Sequence, residues 1–484
     1  MTTEQDKSQE QSQGGDGDVL SELDLHIPTS FYWQLTLLAT LGGFLFGYDT
    51  SNIGSALNFV PYHLNSFTLG YLVAGTSLGA AVGALIAGPV TDRFGRKWLL
   101  VADAGIYAVG AILSAVAWNL DVLLAARTLI GLAIGADSAI ATAYIAEYAP
   151  KAKRGELSIL QQWMITVGIL VSYIVALAIL KIAPHGATTV DWRLILGLGA
   201  LPALVGLVLR AQMPESPRWL LRQGRYDDMK RALSMFGFDV STDQIKRTAD
   251  ALAAEDKQRQ TAKKSQWTPG VKRALMVVSA FFVFQQITGI NVPFYYGPRI
   301  LSKYFGSGGT VVNSTIAGIE VTIILASVNV AATYFGFRYI DRIGRRVLSM
   351  GGYVGMAVFM LVSAFSLTYL TGVTRLIVLM VGLDLFIAAF AIGVGGTGWL
   401  IQGEVFPTAV RGRAASIGAT ADWLANFALI EVFPVWNKGV GLAWVMVSFA
   451  GFAVLAIIFV AKFLPETKGL SVEDIAEVFQ REAA

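Results

Sequence analysis

Asp49 stands in the stretch Gly42 to Thr50, GGFLFGYDT, where one carboxylate interrupts residues that are otherwise soluble in lipid. A carboxylate near the middle of a bilayer is costly unless it is paired, protonated or turned to a watery cavity. Its candidate partner is Arg127, set among apolar residues in LLAARTLIGLAIG. An ion pair out of water holds only with good geometry, so protonating the acid would release the guanidinium. Moving the guanidinium would in turn change how readily the acid keeps a proton. The chemistry on offer is reversible proton loading, with a static structural pair as the alternative.

A second set of residues is polar but neutral. Gln162 lies in LQQWMITVG, and Gln285, Gln286 and Asn291 lie in FQQITGIN. Side-chain amides present a donor beside an acceptor, which suits hydroxyl groups, and indole faces suit C–H surfaces. For any single glutamine, hydrogen bonding between helices is the alternative use. Gln286 and Asn291 are five residues apart and Gln285 and Asn291 six, so a regular helix does not align all three. Pro293 predicts unwinding there, which is tolerated where backbone lines a cavity.

Other groups carry no chemistry. The chain has no cysteine, which excludes disulfides, thiolate metal sites and thiol catalysis. Its three histidines, His26, His63 and His185, lie outside the apolar runs and show no metal-ligand spacing. GVGGTG at Gly393 to Gly398 fits a dinucleotide pattern, but no strand precedes it; GTSLG at Gly75 to Gly79 fits a hydrolase elbow, but no histidine is placed to activate Ser77. Both are read as glycines for close packing or bending of helices. No cofactor is expected, and no catalytic constellation survives, so an enzyme is not expected.

The elements that position these residues are helices in lipid. The 484 residues are 54% hydrophobic and 15% charged, and the net charge is only +3, which disfavours nucleic acid as a partner. With a mean hydropathy of +0.57, the chain reads as an integral, all-α membrane protein. Twelve stretches reach the length needed to span: 33–54, 68–90, 98–118, 121–145, 157–181, 192–210, 272–297, 314–338, 347–370, 375–402, 413–435 and 440–463. They fall into two groups of six. The expected organisation is a disordered segment over 1–30, a six-helix bundle over 31–211, a charged helical linker domain over 212–270, a second bundle over 271–464 and a tail over 465–484. No cleavable secretory signal is read at the start; the first span is expected to direct the chain to the membrane.

Lys and Arg gather in alternate loops, TDRFGRK, PKAKRG, the 212–270 segment, DRIGRR and PTAVRGR, which places those loops and both termini in the cytoplasm. The same loops expose a duplication. DRFGRK from Asp92 recurs as DRIGRR from Asp341, EYAPKAKRG from Glu147 as EVFPTAVRG from Glu404, and PESPR from Pro214 as PETKG from Pro465. Duplicated halves make a site at their interface and can rock about it, which is transporter architecture. The loop charges Arg93, Arg96, Arg154, Arg342, Arg345 and Arg411 face the acids Glu147, Glu215, Glu404 and Glu466. Such a network, present in one of two states, would close the cytoplasmic side.

From about residue 33 to 470 the chain resembles a sugar porter of the major facilitator superfamily: GGFLFGYD, DRFGRK, RTLIGLAIG with IAEYAPKAKRG, PESPRWL, QQITGINVPFYYGP, DRIGRR, GEVFPTAVRG and PETKG keep the family order. The resemblance implies twelve helices in two pseudo-symmetric bundles and proton-coupled import of a monosaccharide, since coupled members have an acid at the position of Asp49. A passive facilitator of the same fold, or a sugar sensor that does not transport, is the alternative. It also implies that Gln162, Gln285, Gln286, Asn291, Asn329, Trp399 and Trp423 contact sugar, that Tyr295 and Tyr296 form an extracellular gate, and that the protein works as a monomer among membrane lipids.

Two departures stand out. Gly395, Gly396, Thr397 and Gly398 occupy a place where relatives have Gly-Pro, and Asp422 replaces an amide beside Trp423. Asp422 could touch sugar, carry a second proton or bind a cationic substrate. Asp103, Asp137, Glu320, Asp384 and Glu431 are further acids in or near spans, and Asp137 and Asp384 lie deepest. Asn313-Ser-Thr is a glycosylation sequon.

Overall fold

The computed structural model describes residue 19 and residues 30–148, 154–250, 267–305, 309–406, 410–468, 470 and 472–483. Most of the expected disordered segment, and the side chains of Arg154 and Arg411, lie outside what is described. The first half comprises α1 (Ser30–Ala39), α2 (Leu41–Ala56), α3 (Ser66–Phe94), α4 (Arg96–Val116), α5 (Leu120–Tyr148), α6 (Arg154–Ile182), α7 (Trp192–Gly197) and α8 (Ala200–Arg210). The linker carries α9 (Pro217–Arg222) and α10 (Tyr226–Met235). The second half contains α11 (Pro269–Ile287), α12 (Val292–Tyr295), α13 (Gly297–Phe305), α14 (Val311–Ile343), α15 (Arg345–Tyr369), α16 (Gly372–Phe390), α17 (Thr397–Val405), α18 (Arg411–Val440) and α19 (Leu442–Phe463), followed by α20 (Val472–Ala483).

Ten described helical stretches are long and apolar enough to cross a membrane. The first and eleventh expected spans are helical too, but they are less uniformly apolar. The first divides at Thr40 into α1 and α2, and α18 carries Asp422 and Glu431. The polar content that weakens them as lipid spans is what puts functional groups inside.

Helix starts follow local chemistry. Asn65 caps α3 by accepting from the Thr68 backbone N–H at 2.8 Å, Thr268 caps α11 ahead of Pro269, and Ser216 caps α9 ahead of Pro217. The expected seventh span ends as a regular helix at Ile287 and resumes at Val292. The break falls just before Pro293, at Gly289, whose φ of +85° is left-handed and whose missing Cβ leaves room for the Phe449 ring. In the tenth expected span, α16 passes through a π-helical turn, Ala391–Gly395, before α17, so the bend forms there without proline.

Glycines let helices touch at backbone distance. A Cβ at Gly79 of α3 would stand 2.1 Å from the Thr128 carbonyl oxygen, and one at Gly131 of α5 would stand 1.9 Å from that of Thr76. This interlock puts α5 directly against α3, and Arg127 with it. Gly393 packs equally tightly on Gly352, which accounts for GVGGTG as a packing surface.

The linker helices bury Trp219, Leu220, Leu221, Met229 and Leu233 in a small core with Val19, and the Trp219 indole N–H donates to the Asp92 carbonyl at 3.1 Å. The tail expected after residue 465 instead contains α20, which buries Ile475 and Phe479 and ties to α11 where the Gly270 N–H donates to Gln480 Oε1 at 3.0 Å.

Candidate functional site

Asp49 on α2 and Arg127 on α5 meet as the sequence predicts. Both are buried, and Arg127 Nη1 donates to Asp49 Oδ1 in a close ion pair. Arg127 Nε donates to the Leu72 carbonyl at 3.3 Å, so α3 holds the guanidinium in place from the side. Among the described residues, Asp49 Oδ2 and Arg127 Nη2 make no hydrogen bond of good geometry, although Thr76 of α3 stands beside the carboxylate. The pair is therefore tight at one contact and open at the other, an arrangement that one added proton can dissolve.

The second half supplies a hydrogen-bonded chain that reaches the first. Gln286 Nε2 donates to Asp422 Oδ1 at 2.7 Å, and Asn291 Nδ2 donates to Gln286 Oε1 at 2.8 Å and to Asn426 Oδ1 at 3.1 Å. Asn426 Nδ2 then donates to Ser77 Oγ on α3 at 2.9 Å. The break after Ile287 brings Gln286 and Asn291 together despite their five-residue spacing. Asn426 and Ser77 were missed as site residues; the signal was that Asn426 falls one helical turn after Asp422 and so shares its face.

The remaining predicted residues gather around this chain to different degrees. Gln285 donates to the Gly395 carbonyl at 3.1 Å, and its Oε1 has no partner among the described residues. The half-buried Trp399 ring packs on Phe282 at 4.9 Å, and Trp423 meets Phe46 of α2 edge-on at 4.9 Å, its indole N–H unpaired among the described residues. Trp423 thus crosses between the halves. Asn329 is buried on α14, where its carbonyl accepts from Thr333 Oγ1 at 2.7 Å. Gln162 is half-buried on α6, and among the described residues no hydrogen bond joins it to the chain from Asp422 to Ser77.

At the end opposite the basic loops the halves close on one another. Tyr295 is buried, the Tyr173 hydroxyl donates to the Phe294 carbonyl, Asn58 Nδ2 donates to Thr315 Oγ1 at 2.9 Å, and Lys181 pairs with Glu320 at 2.6 Å. Tyr296 stacks on Phe433 at 4.9 Å and donates to the Ile430 carbonyl at 3.0 Å, within its own half.

Of the basic-loop charges expected to face the acids, Arg96 and Arg345 hold them and Arg93 and Arg342 do not: Arg96 Nη2 lies 3.0 Å from Glu147 and Arg345 Nη2 2.7 Å from Glu404. Arg93 instead lies over the Phe94 ring, and Arg342 is exposed. The turn at Gly95, φ +98°, and its counterpart at Gly344, φ +103°, reverse the chain so that the residue after the glycine faces inward. Among the described residues, each network stays within one half. Glu215 accepts from the Arg96 N–H at 2.9 Å, and Glu466 accepts from those of Arg345 at 2.9 Å and Arg346 at 3.0 Å. Among the described residues, no ion pair at this end joins the two halves. Burial pushes the Glu215 carboxyl up from its ordinary range, against the pull of its three backbone donors and Arg96.

A family model described as "Sugar (and other) transporter" matches residues 35–479. The chain is 34% identical over 472 residues to the arabinose-proton symporter of Bacillus subtilis, covering 95% of this chain and 98% of the relative. It is 35% identical over 450 residues to the glucose transporter GlcP of Staphylococcus epidermidis, covering 92% and 96%. Its fold is similar to the partially occluded inward-open conformation of the xylose transporter XylE from E. coli, with a TM-score of 0.77, 28% identity, and coverage of 92% of this chain and all of that one. These relatives are transporters, not enzymes. The protein is a multi-pass membrane transporter of the sugar porter family of the major facilitator superfamily.

Proposed function

We propose that this protein imports a monosaccharide together with a proton by alternating access, in the plasma membrane and with both termini in the cytoplasm. The observation that carries the reading is the meeting of two chemistries. A buried acid-base pair in the first half, Asp49 and Arg127, lies on helices adjoining α3, and α3 also receives the amide chain of the second half at Ser77. Sugar hydroxyls held by Gln285, Gln286, Asn291 and Asp422 would compete for that chain, so substrate and proton would act on the same interface. Gln162, Asn329, Trp399 and Trp423 complete the proposed sugar contacts. The relatives named for arabinose-proton symport, glucose transport and xylose transport support the same substrate class.

The twelve-span organisation, with bundles over 31–211 and 271–464 and a cytoplasmic linker over 212–270, gives the rocking units. Apart from Asn426 to Ser77, the hydrogen bonds and ion pair that join the halves among the described residues lie at the Tyr295 end and none lies at the basic loops, which supports an inward-facing state with Tyr295 and Tyr296 at the closed extracellular gate. The networks of Arg96 and Arg345 brace each half, and the cytoplasmic gate of Arg93, Glu147, Arg154, Glu215, Arg342, Glu404, Arg411 and Glu466 would form between halves when that side shuts. The unit is a monomer in contact with lipid.

The test is uptake of labelled arabinose, xylose and glucose by proteoliposomes with and without an imposed pH gradient. Accumulation only with the gradient supports symport. Equilibration regardless of it identifies a facilitator, and no uptake of any sugar points to a sensor.

A further inference from the structure

Away from the amide chain, the first half buries a second charged cluster. Arg210 of α8 lies 2.8 Å from Asp103 of α4 and 2.7 Å from Asp137 of α5, and all three are 3% exposed or less. Two carboxyls share one guanidinium, which also donates to the carbonyls of Leu38, Ala39 and Leu100. Ionised throughout, the cluster would hold one uncompensated negative charge out of water, a state that proteins avoid by binding a proton. Among the described residues, Asp103 Oδ2 and Asp137 Oδ2 find no donor, although the two carboxyls stand within hydrogen-bonding reach of each other. A proton between them supplies the missing donor and balances the charge.

The location of this cluster relative to Asp49 is specific. A Cβ at Gly42 would lie 1.7 Å from Asp137 Oδ2, so α2 opens a notch into which that carboxyl fits. Gly42 lies seven residues before Asp49 on the same helix, about 10 Å toward the basic-loop end and on the same face. Tyr107 bridges the interval. It is one turn from Asp103 on α4, and its hydroxyl donates at 3.1 Å to the Leu45 carbonyl, between Gly42 and Asp49. The titratable and charged groups facing the cluster include Asp103 and Tyr107 from α4, Asp137 from α5 and Arg210 from α8, and Tyr107 in turn faces Tyr48 and Asp49 of α2 and Arg127 of α5.

We infer that Asp103, Asp137 and Arg210 form an inner proton station, which takes the proton released by Asp49 past Tyr107 and passes one to the basic-loop face. The inference rests on the proton-coupled reading above. At rest the station holds one proton and is neutral. When Asp49 gives up its proton and closes on Arg127, that proton enters the carboxyl pair as the held one leaves to water, so charge and protons balance over the cycle.

The test uses the full chain in proteoliposomes, with whichever of arabinose, xylose and glucose the wild type exchanges fastest. Asp137→Asn and Asp103→Asn each leave Arg210 one carboxylate and the cluster neutral without a proton. Each variant is expected to lower gradient-driven accumulation at least tenfold while sugar exchange falls much less, and to remove a protonated-carboxyl C=O band from the infrared spectrum. Tyr107→Phe is expected to slow accumulation without removing that band. A purely structural cluster would lower exchange and accumulation together, which overturns the proposal, as does wild-type accumulation in both Asn variants. If the wild type itself fails to accumulate sugar, the symport reading falls, and this inference with it; if the wild type accumulates and only Asp49→Asn does not, the inference alone fails.

Discussion

Gly54 of α2 packs against the backbone of Tyr295: a Cβ at position 54 would stand 2.7 Å from the Tyr295 carbonyl oxygen and 2.9 Å from that of Phe294. Backbone oxygens cannot step aside as a side-chain tip can. A larger residue at 54 should therefore oppose the state in which this end is closed, by about 1–3 kcal/mol, which is roughly a five- to 150-fold shift of population. Gly54→Leu is expected to slow sugar exchange by about that factor without loss of folded protein. Because the chain has no cysteine, a thiol introduced at Asn58 reports the same shift as faster labelling from the Tyr295 end. Unchanged labelling and exchange in Gly54→Leu would show that this contact does not govern closure.

The pair of Asp49 and Arg127 predicts a separation of coupling from movement. Asn at position 49 still accepts a hydrogen bond from Arg127 but cannot carry a proton. Asp49→Asn should lose uphill loading while exchange of labelled sugar continues. Arg127→Ala should behave differently, because it strands a buried carboxylate at a cost of about 3–5 kcal/mol. Lower melting temperature and yield are expected for that variant and not for Asp49→Asn.

Asp422 predicts a loss of affinity that depends on its acceptor atom. Asp422→Ala removes the acceptor proposed to hold a sugar hydroxyl, a loss of about 1–3 kcal/mol, so KM should rise roughly five- to 150-fold. Asp422→Asn keeps an oxygen in place and should change KM less. Equal effects in the two variants would mean that the charge, rather than the acceptor, matters to substrate.

Glu215 predicts a pH dependence of stability. Burial raises its folded pKa above the ordinary 4.5, so the folded state keeps this proton more readily than the unfolded one. The group's contribution is full below pH 4.5 and is lost as pH rises through the raised value. Melting temperatures of the wild type and Glu215→Gln, measured from pH 4 to 8, should show a downward component in the wild type that is missing in the variant. A wild-type component of opposite sign would mean that the backbone donors, not burial, dominate.

Sequence alone determined the all-α membrane class and the transporter family, because both rest on properties that survive without coordinates. Apolar length requires lipid, basic loops alternate, and DRFGRK and DRIGRR repeat the same turn, down to the glycine that both copies need. It also paired Asp49 with Arg127, since few other charges lie in the apolar runs. Tertiary structure decided what depends on direction. Arg96 rather than Arg93 reaches Glu147 because a left-handed glycine turn rotates the chain between them. Gln286 and Asn291 meet because the helix stops at Ile287, and Asn426 and Ser77 extend the chain across an interface formed by segments hundreds of residues apart. Asp103, Asp137 and Arg210 read as scattered charges along the chain; only packing of α4, α5 and α8 around the notch at Gly42 joins them, because a contact between helices is set by rotation and depth as well as by composition.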